Sequence, residues 1–161
     1  MDIYVQKAVS IVAVGIRGRR STKLLGAKAI TAAFTYNASN GSYISNKSLT
    51  DITSTIHQGE WLQIQLPVAK QMVYCTVAPR TNFTTRVPRS GVIMGSNTGV
   101  NGSWVVLTNF SNKSYSNNVE TEIMIDSNQA YVYYVLLCKT LMPNANSNTM
   151  NISEIKYFAH H

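Results

Sequence analysis

Residues 61–66 alternate without a break: Trp61, Gln63 and Gln65 point one way, and Leu62, Ile64 and Leu66 the other. A period of two is the mark of a strand with one apolar face, and Pro67 is expected to close it. Short β-rich runs recur at residues 3–16, 30–36, 72–78, 92–95, 104–107, 120–125, 131–140 and 152–158, none with a sustained helical period. Turn chemistry separates them: Asn37-Ala38-Ser39-Asn40-Gly41-Ser42, a two-proline loop over 79–90, the tight turn Ser96-Asn97-Thr98-Gly99, and a polar loop over 110–118. About eight strands at such short intervals predict an all-β fold, an antiparallel β-sandwich. The expected organisation is one sandwich domain over residues 27–161, preceded by residues 1–26 as a basic N-terminal arm or first strand.

Composition narrows the class further. Of 161 residues, 45% are apolar, enough for one domain's core, and only 13% are charged. Asn, Ser and Thr together supply 46 residues, so the surface is uncharged and rich in hydroxyls and amides. A disordered polyampholyte or basic tail would carry more charge and fewer β-branched residues, and both are excluded. The net charge of +7 is unevenly placed. Residues 1–28 hold +5 of it, including Arg17, Arg19 and Arg20, and the other 133 residues hold +2. That cluster suits a phosphate or an acidic protein surface, or is a solvated arm. No aromatics lie beside it to stack bases, which argues against nucleic acid.

No transmembrane span is expected, because the apolar run at 8–16 falls short of the roughly 20 residues a bilayer requires. The basic cluster follows that run instead of preceding it, which is the wrong order for a signal peptide, although a mature secreted form stays compatible. Cys75 and Cys138 each lie inside an apolar run and are read as reduced core thiols. No paired Cys/His spacing suits structural zinc.

Catalytic constellations are poor. His57, His160 and His161 are the only histidines, and there is no nucleophile elbow and no phosphate loop. Glu120 and Glu122 share one strand face and read as solvated charges, not as the carboxylate pair of a glycosidase cleft. The chain is not expected to be an enzyme.

Five phrases occur in a telling order: Gly59-Glu60-Trp61-Leu62-Gln63-Ile64-Gln65-Leu66-Pro67; Val77-Ala78-Pro79-Arg80; Gly95-Ser96-Asn97-Thr98-Gly99 with Trp104; Tyr131-Val132-Tyr133-Tyr134-Val135-Leu136; and Ile152-Ser153-Glu154-Ile155. Together they resemble the coagulation factor 5/8 type C, or discoidin, family over residues 27–158. The resemblance implies a galactose-binding-like jelly roll with a ligand site on the loops at one end. It also places Trp61 and Trp104 in or near the core. The family's Asp-Gly step and second tryptophan upstream of the Gly-Glu-Trp phrase are missing.

In sugar-binding members a loop histidine works with two arginines of a neighbouring loop, which here implies His57, Arg80 and Arg86 or Arg89. Guanidinium forks hold fixed donors toward sugar hydroxyls without losing their protons. A sugar ring face would then pack on an aromatic side chain, with Phe83, Tyr43 and Tyr36 as candidates in nearby loops. The plainer reading, solvated loop arginines, stays open. The resemblance further implies structural calcium, with Glu154 and Asp51 as candidate carboxylates and loop carbonyls near Asn46 completing six to eight oxygens; a solvent-facing charge or a partner near Lys156 stays open for Glu154.

Eight Asn-x-Ser/Thr sequons, at Asn37, Asn40, Asn46, Asn82, Asn101, Asn109, Asn112 and Asn151, follow from a composition this rich in Asn, Ser and Thr. The functional expectation is a non-catalytic, lectin-like module that binds a glycan, attaching a virion or appendage to a cell surface. The setting is then a virion or extracellular surface. The alternative is a structural virion or assembly protein, a homo-oligomer or larger assembly docked through residues 1–26.

Overall fold

A computed structural model of the chain describes residues 11–18, 28–31, 35–37, 42–44, 48–125, 127–141, 150 and 152–159. Thirteen strands are described in chain order. The first six are β1 (Ile11–Gly18), β2 (Lys28–Thr31), β3 (Thr35–Asn37), β4 (Ser42–Ile44), β5 (Ser48–Thr50) and β6 (Ile56–Gln58). Then come β7 (Glu60–Lys70), β8 (Met72–Ala78), β9 (Ser90–Ser96), β10 (Val105–Phe110), β11 (Thr121–Met124), β12 (Tyr131–Thr140) and β13 (Ile152–Ala159). One 3-10 turn, Thr84–Arg86, interrupts the loop before β9.

Two sheets make the sandwich. The smaller runs β1-β13-β8-β11, with β1 parallel to β13 and the other pairs antiparallel. The larger places β10, β9, β12, β7 and β2 side by side, all antiparallel, with the β3–β4 hairpin joined at the end of β12 through Ser42 and Thr140. Residues 11–18, read from sequence as arm or first strand, form the edge of the smaller sheet. Residues 1–10, 19–27 and the two terminal histidines lie outside the described residues.

Alternation decides what fills the space between the sheets. Leu62, Ile64 and Leu66 of β7 meet Cys75 and Val77 of β8, Ile93 of β9, Tyr134, Leu136 and Cys138 of β12, and Ile155 and Tyr157 of β13. Each large apolar side chain buried there contributes about 1.5–3 kcal/mol relative to exposure. Cys75 and Cys138 are buried free thiols in this layer.

The opposite face of the larger sheet is not solvated either. Trp61, Val92, Met94, Val135 and Leu137 form a second apolar cluster with Trp104 and with Leu49 of the small β5–β6 hairpin. That hairpin was not expected from sequence. It rests on this face and explains why β12 reads as one apolar run: its odd and even positions are both covered. The hairpin is tied down at its turn. Asp51 bridges Trp104, Ile52 N–H donates to Trp104 O (2.9 Å), and Gly102 N–H donates to Thr50 O (2.8 Å). Gly102 has φ +84°, a left-handed conformation glycine adopts without a Cβ clash.

Pro67 does not close β7, which continues to Lys70. Tyr131 pairs with Lys70 and Tyr133 with Gln65, so the ladder carries a bulge across residues 66–69. The bulge takes the proline out of register with β12, where no ladder hydrogen bond is asked of it. Tyr36, at the end of the run read over 30–36, and Tyr43, expected in a loop, are paired in register in β3 and β4.

Candidate functional site

β8 ends at Ala78, β9 begins at Ser90, β10 ends at Phe110, and β11 begins at Thr121. The antiparallel order therefore delivers two connections, 79–89 and 111–120, to one end of the sandwich. Prolines at 79 and 88 and an abundance of Asn keep both segments out of the sheets.

The first connection folds on itself. Phe83 N–H donates to Arg80 O (2.9 Å), and Arg86 N–H donates to Phe83 O (3.1 Å). These turns bring two of the predicted arginines onto one aromatic ring: the Arg80 Cζ lies 5.0 Å and the Arg86 Cζ 4.3 Å from the Phe83 ring centroid. Such contacts contribute about 0.5–1 kcal/mol each at exposed positions.

Side chains then zip the two connections together. Asn82 N–H donates to Asn117 Oδ1 (2.9 Å), and Thr81 Oγ1–H donates to Asn118 Oδ1 (3.3 Å). Tyr115 O–H donates to Pro88 O (2.7 Å), Lys113 N–H to Arg89 O (3.0 Å), and Arg89 Nη2 to Asn112 Oδ1 (3.4 Å). Asn82, Asn112 and Asn118 have φ of 66°, 53° and 60°, left-handed values that asparagine tolerates better than most residues. Burial, foremost, raises the Tyr115 phenol well above its usual pKa, so it is a fixed donor.

Arg89 N–H also donates to Thr140 O (2.8 Å), and Thr140 is the residue that pairs with Ser42. The backbone of β4, and so Tyr43, is thereby brought to the same end as the arginines. The side chain of Tyr43 lies outside the described residues.

His57 is placed differently. Its Nε2 lies 2.8 Å from Asp51 Oδ2, and both residues are buried. Asp51 also accepts hydrogen bonds from Thr53 N–H (2.8 Å), Thr53 Oγ1–H (2.6 Å) and Thr55 N–H (3.0 Å). The His57 bond first, and then Thr53, hold the Asp51 carboxyl well below the usual carboxylate range. The Asp51 bridge to Trp104 sits beyond the far end of β9 from Arg89, and a seven-residue strand spans about 20 Å. Among the described contacts, Arg80 and Arg86 lie on Phe83, and His57 is bonded to Asp51 within the β5–β6 hairpin; none joins His57 to the loop arginines.

The carboxylates weighed for calcium do not meet. Glu154 is on β13 of the smaller sheet, paired with Ala78 at the platform end, and its Oε2 lies 3.0 Å from Lys156 Nζ. Lys156 also pairs with Glu120. Burial pulls the Lys156 ammonium down, but Glu120 and Glu154 outweigh it and hold its pKa above the usual lysine value. Asp51 is committed to four donors of its own hairpin. Among the described residues no group of three His, Cys, Asp or Glu side chains is placed to hold a metal. Of the residues named from sequence, the structure brings Arg80, Phe83 and Arg86 together, and the fastening set, Asn82, Asn112, Asn117, Asn118 and Tyr115, was not among them. Asparagine at turn positions was the available signal, and the sequon pattern drew it elsewhere.

The architecture recurs in solved structures. CBM32-3 from a family 31 glycoside hydrolase of Clostridium perfringens is 16% identical, with a TM-score of 0.53 over 82% of this chain and 91% of that one. CBM32-1 from a family 31 glycoside hydrolase of the same organism is 14% identical, with a TM-score of 0.51 over 82% and 93%. A third C. perfringens module, CBM32-5, in complex with GalNAc-β-1,3-galactose, is 12% identical, with a TM-score of 0.50 over 83% and 94%. The chain thus has the fold of these carbohydrate-binding modules, an all-β jelly-roll sandwich. No family model matches the sequence, and no curated protein matches it.

Proposed function

We propose that this protein is a non-catalytic carbohydrate-binding module whose ligand sits on the platform of Arg80, Phe83 and Arg86. The carrying observation is that two guanidiniums lie over one aromatic ring at the loop end of a sandwich. Guanidinium edges present fixed donors for sugar hydroxyls, the Phe83 ring holds the two forks in place, and the Asn82–Asn117 pair adds amide groups alongside. Side-chain zipping of the two loops supplies the preorganisation a small polar ligand requires. The fold shared with carbohydrate-binding modules supports the same reading.

An uncharged surface rich in Asn, Ser and Thr suits a protein displayed on a virion or another extracellular surface, and attachment through glycans is the role we assign it there. The test is a glycan array read with the wild-type protein and with Phe83→Ala. Losing the platform and both cation–π contacts is expected to weaken binding about tenfold. Failure of the wild-type protein to bind any saccharide would overturn the reading.

A further inference from the structure

The two connections that form the platform carry four cations against one carboxylate, Glu120, which is engaged by Lys156 and Thr76. From residue 71 to residue 119 the sequence contains no Asp and no Glu, yet Arg80, Arg86, Arg89 and Lys113 all fall within it. The hydrogen bonds from Lys113 N–H to Arg89 O and from Asn82 N–H to Asn117 Oδ1 set these cations on adjoining loops. Among the described residues none of the four is paired with a carboxylate; the described ion pairs are His57–Asp51, Lys156–Glu120 and Lys156–Glu154. Lys113 Nζ donates to the backbone carbonyl of Glu122 (2.8 Å), and Arg89 to the Asn112 amide oxygen, so their described hydrogen bonds go to uncharged acceptors.

This is an unusual local balance for a chain whose residues 29–161 carry about +2. A neutral sugar would leave it unanswered. A carboxylate or sulfate group would meet it with charge-assisted hydrogen bonds, for which the planar guanidinium fork is the matching donor.

We propose that the ligand of this site is an acidic saccharide, one bearing a carboxylate or a sulfate ester, with its anionic group held by Arg80 and Arg86. The proposal rests on the carbohydrate-binding reading above and narrows it to a ligand class. The experiment is a calorimetric titration of the full chain with lactose, sialylated lactose and sulfated lactose, at low and at physiological salt.

At least one acidic form is expected to bind about tenfold or more tightly than lactose, and added salt should erode that advantage. Preference for the sialylated form assigns a carboxylate, and preference for the sulfated form a sulfate ester. Exchanging both arginines, Arg80→Gln with Arg86→Gln, should bring the acidic-to-neutral ratio close to one. Lys70→Gln, at the far end of β7, should leave that ratio unchanged. Equal affinity for lactose and its acidic forms would overturn this inference while leaving carbohydrate binding standing. Absence of binding to every saccharide would overturn both. A polyglutamate chain or a single-stranded oligonucleotide bound as tightly as the acidic saccharide would overturn the inference by showing an unselective polyanion surface.

Discussion

Tyr115→Phe removes a single oxygen and tests how the platform is held. The phenol donates to Pro88 O at 2.7 Å, and Pro88 is buried. The phenyl ring that remains would still pack against the core between the sheets, so the apolar contribution is retained. What is lost is one hydrogen bond, with a buried carbonyl left without its donor, a cost of about 1–3 kcal/mol. For a chain of this size the unfolding free energy falls by roughly 2–3 kcal/mol per molar urea, so the midpoint should drop by about 0.5–1 M. The melting temperature should fall by about 4–8 °C. Saccharide affinity should fall as well, although Tyr115 is no part of the platform, because the 79–89 connection must then be ordered at the moment of binding. Tyr115→Ala, which also deletes the ring, should cost about 2 kcal/mol more. If Tyr115→Phe unfolds at the wild-type midpoint, the bond contributes nothing net and the account of the two loops as a fastened pair is wrong.

Asp51 and the cysteines give two more tests. A lowered folded-state pKa means that Asp51 stabilises the fold above its ordinary value of 3.8, a contribution lost as pH falls toward the folded value. Stability measured by urea titration should therefore decline more gently below pH ~4 in Asp51→Asn than in wild type; parallel pH profiles would refute the assignment. Burial, foremost, pushes both the Cys75 and Cys138 thiols far up, so neither should react with a thiol-specific disulfide reagent in the native protein, and both should react once it is unfolded.

Much of this architecture was readable from alternation, and the failures share a cause. Residues 72–78 and 131–140 were bounded as the structure bounds them, because turn residues flank long apolar runs. β5 and β6 escaped notice since three-residue strands carry too few side chains for a period to show. Pro67 misled because a bulge depends on what the neighbouring strand does, and that strand lies more than sixty residues away. For the site, the reach of a short loop is local: the resemblance points to Arg80 with Arg86 or Arg89, and residues so close in one loop come near one another whatever the rest of the fold does. Whether His57 joined them depended on the path of the β5–β6 hairpin across the larger sheet. Its bond to Asp51, six residues earlier, is a local contact that the resemblance drew attention away from.

The parallel pairing of β1 with β13 has a consequence for how the chain is made. Ile11 pairs with Ile152, a sequence separation of 141 residues. At the roughly 5–20 residues per second of protein synthesis, β1 waits about ten to thirty seconds for its partner to be made. Closing so long a loop is slow compared with local hairpin formation. The smaller sheet is therefore completed last, after the ribosome has released residues 152–159. Until then β8 lacks the neighbour that separates it from β1, and nascent chains are open to misassembly along that edge.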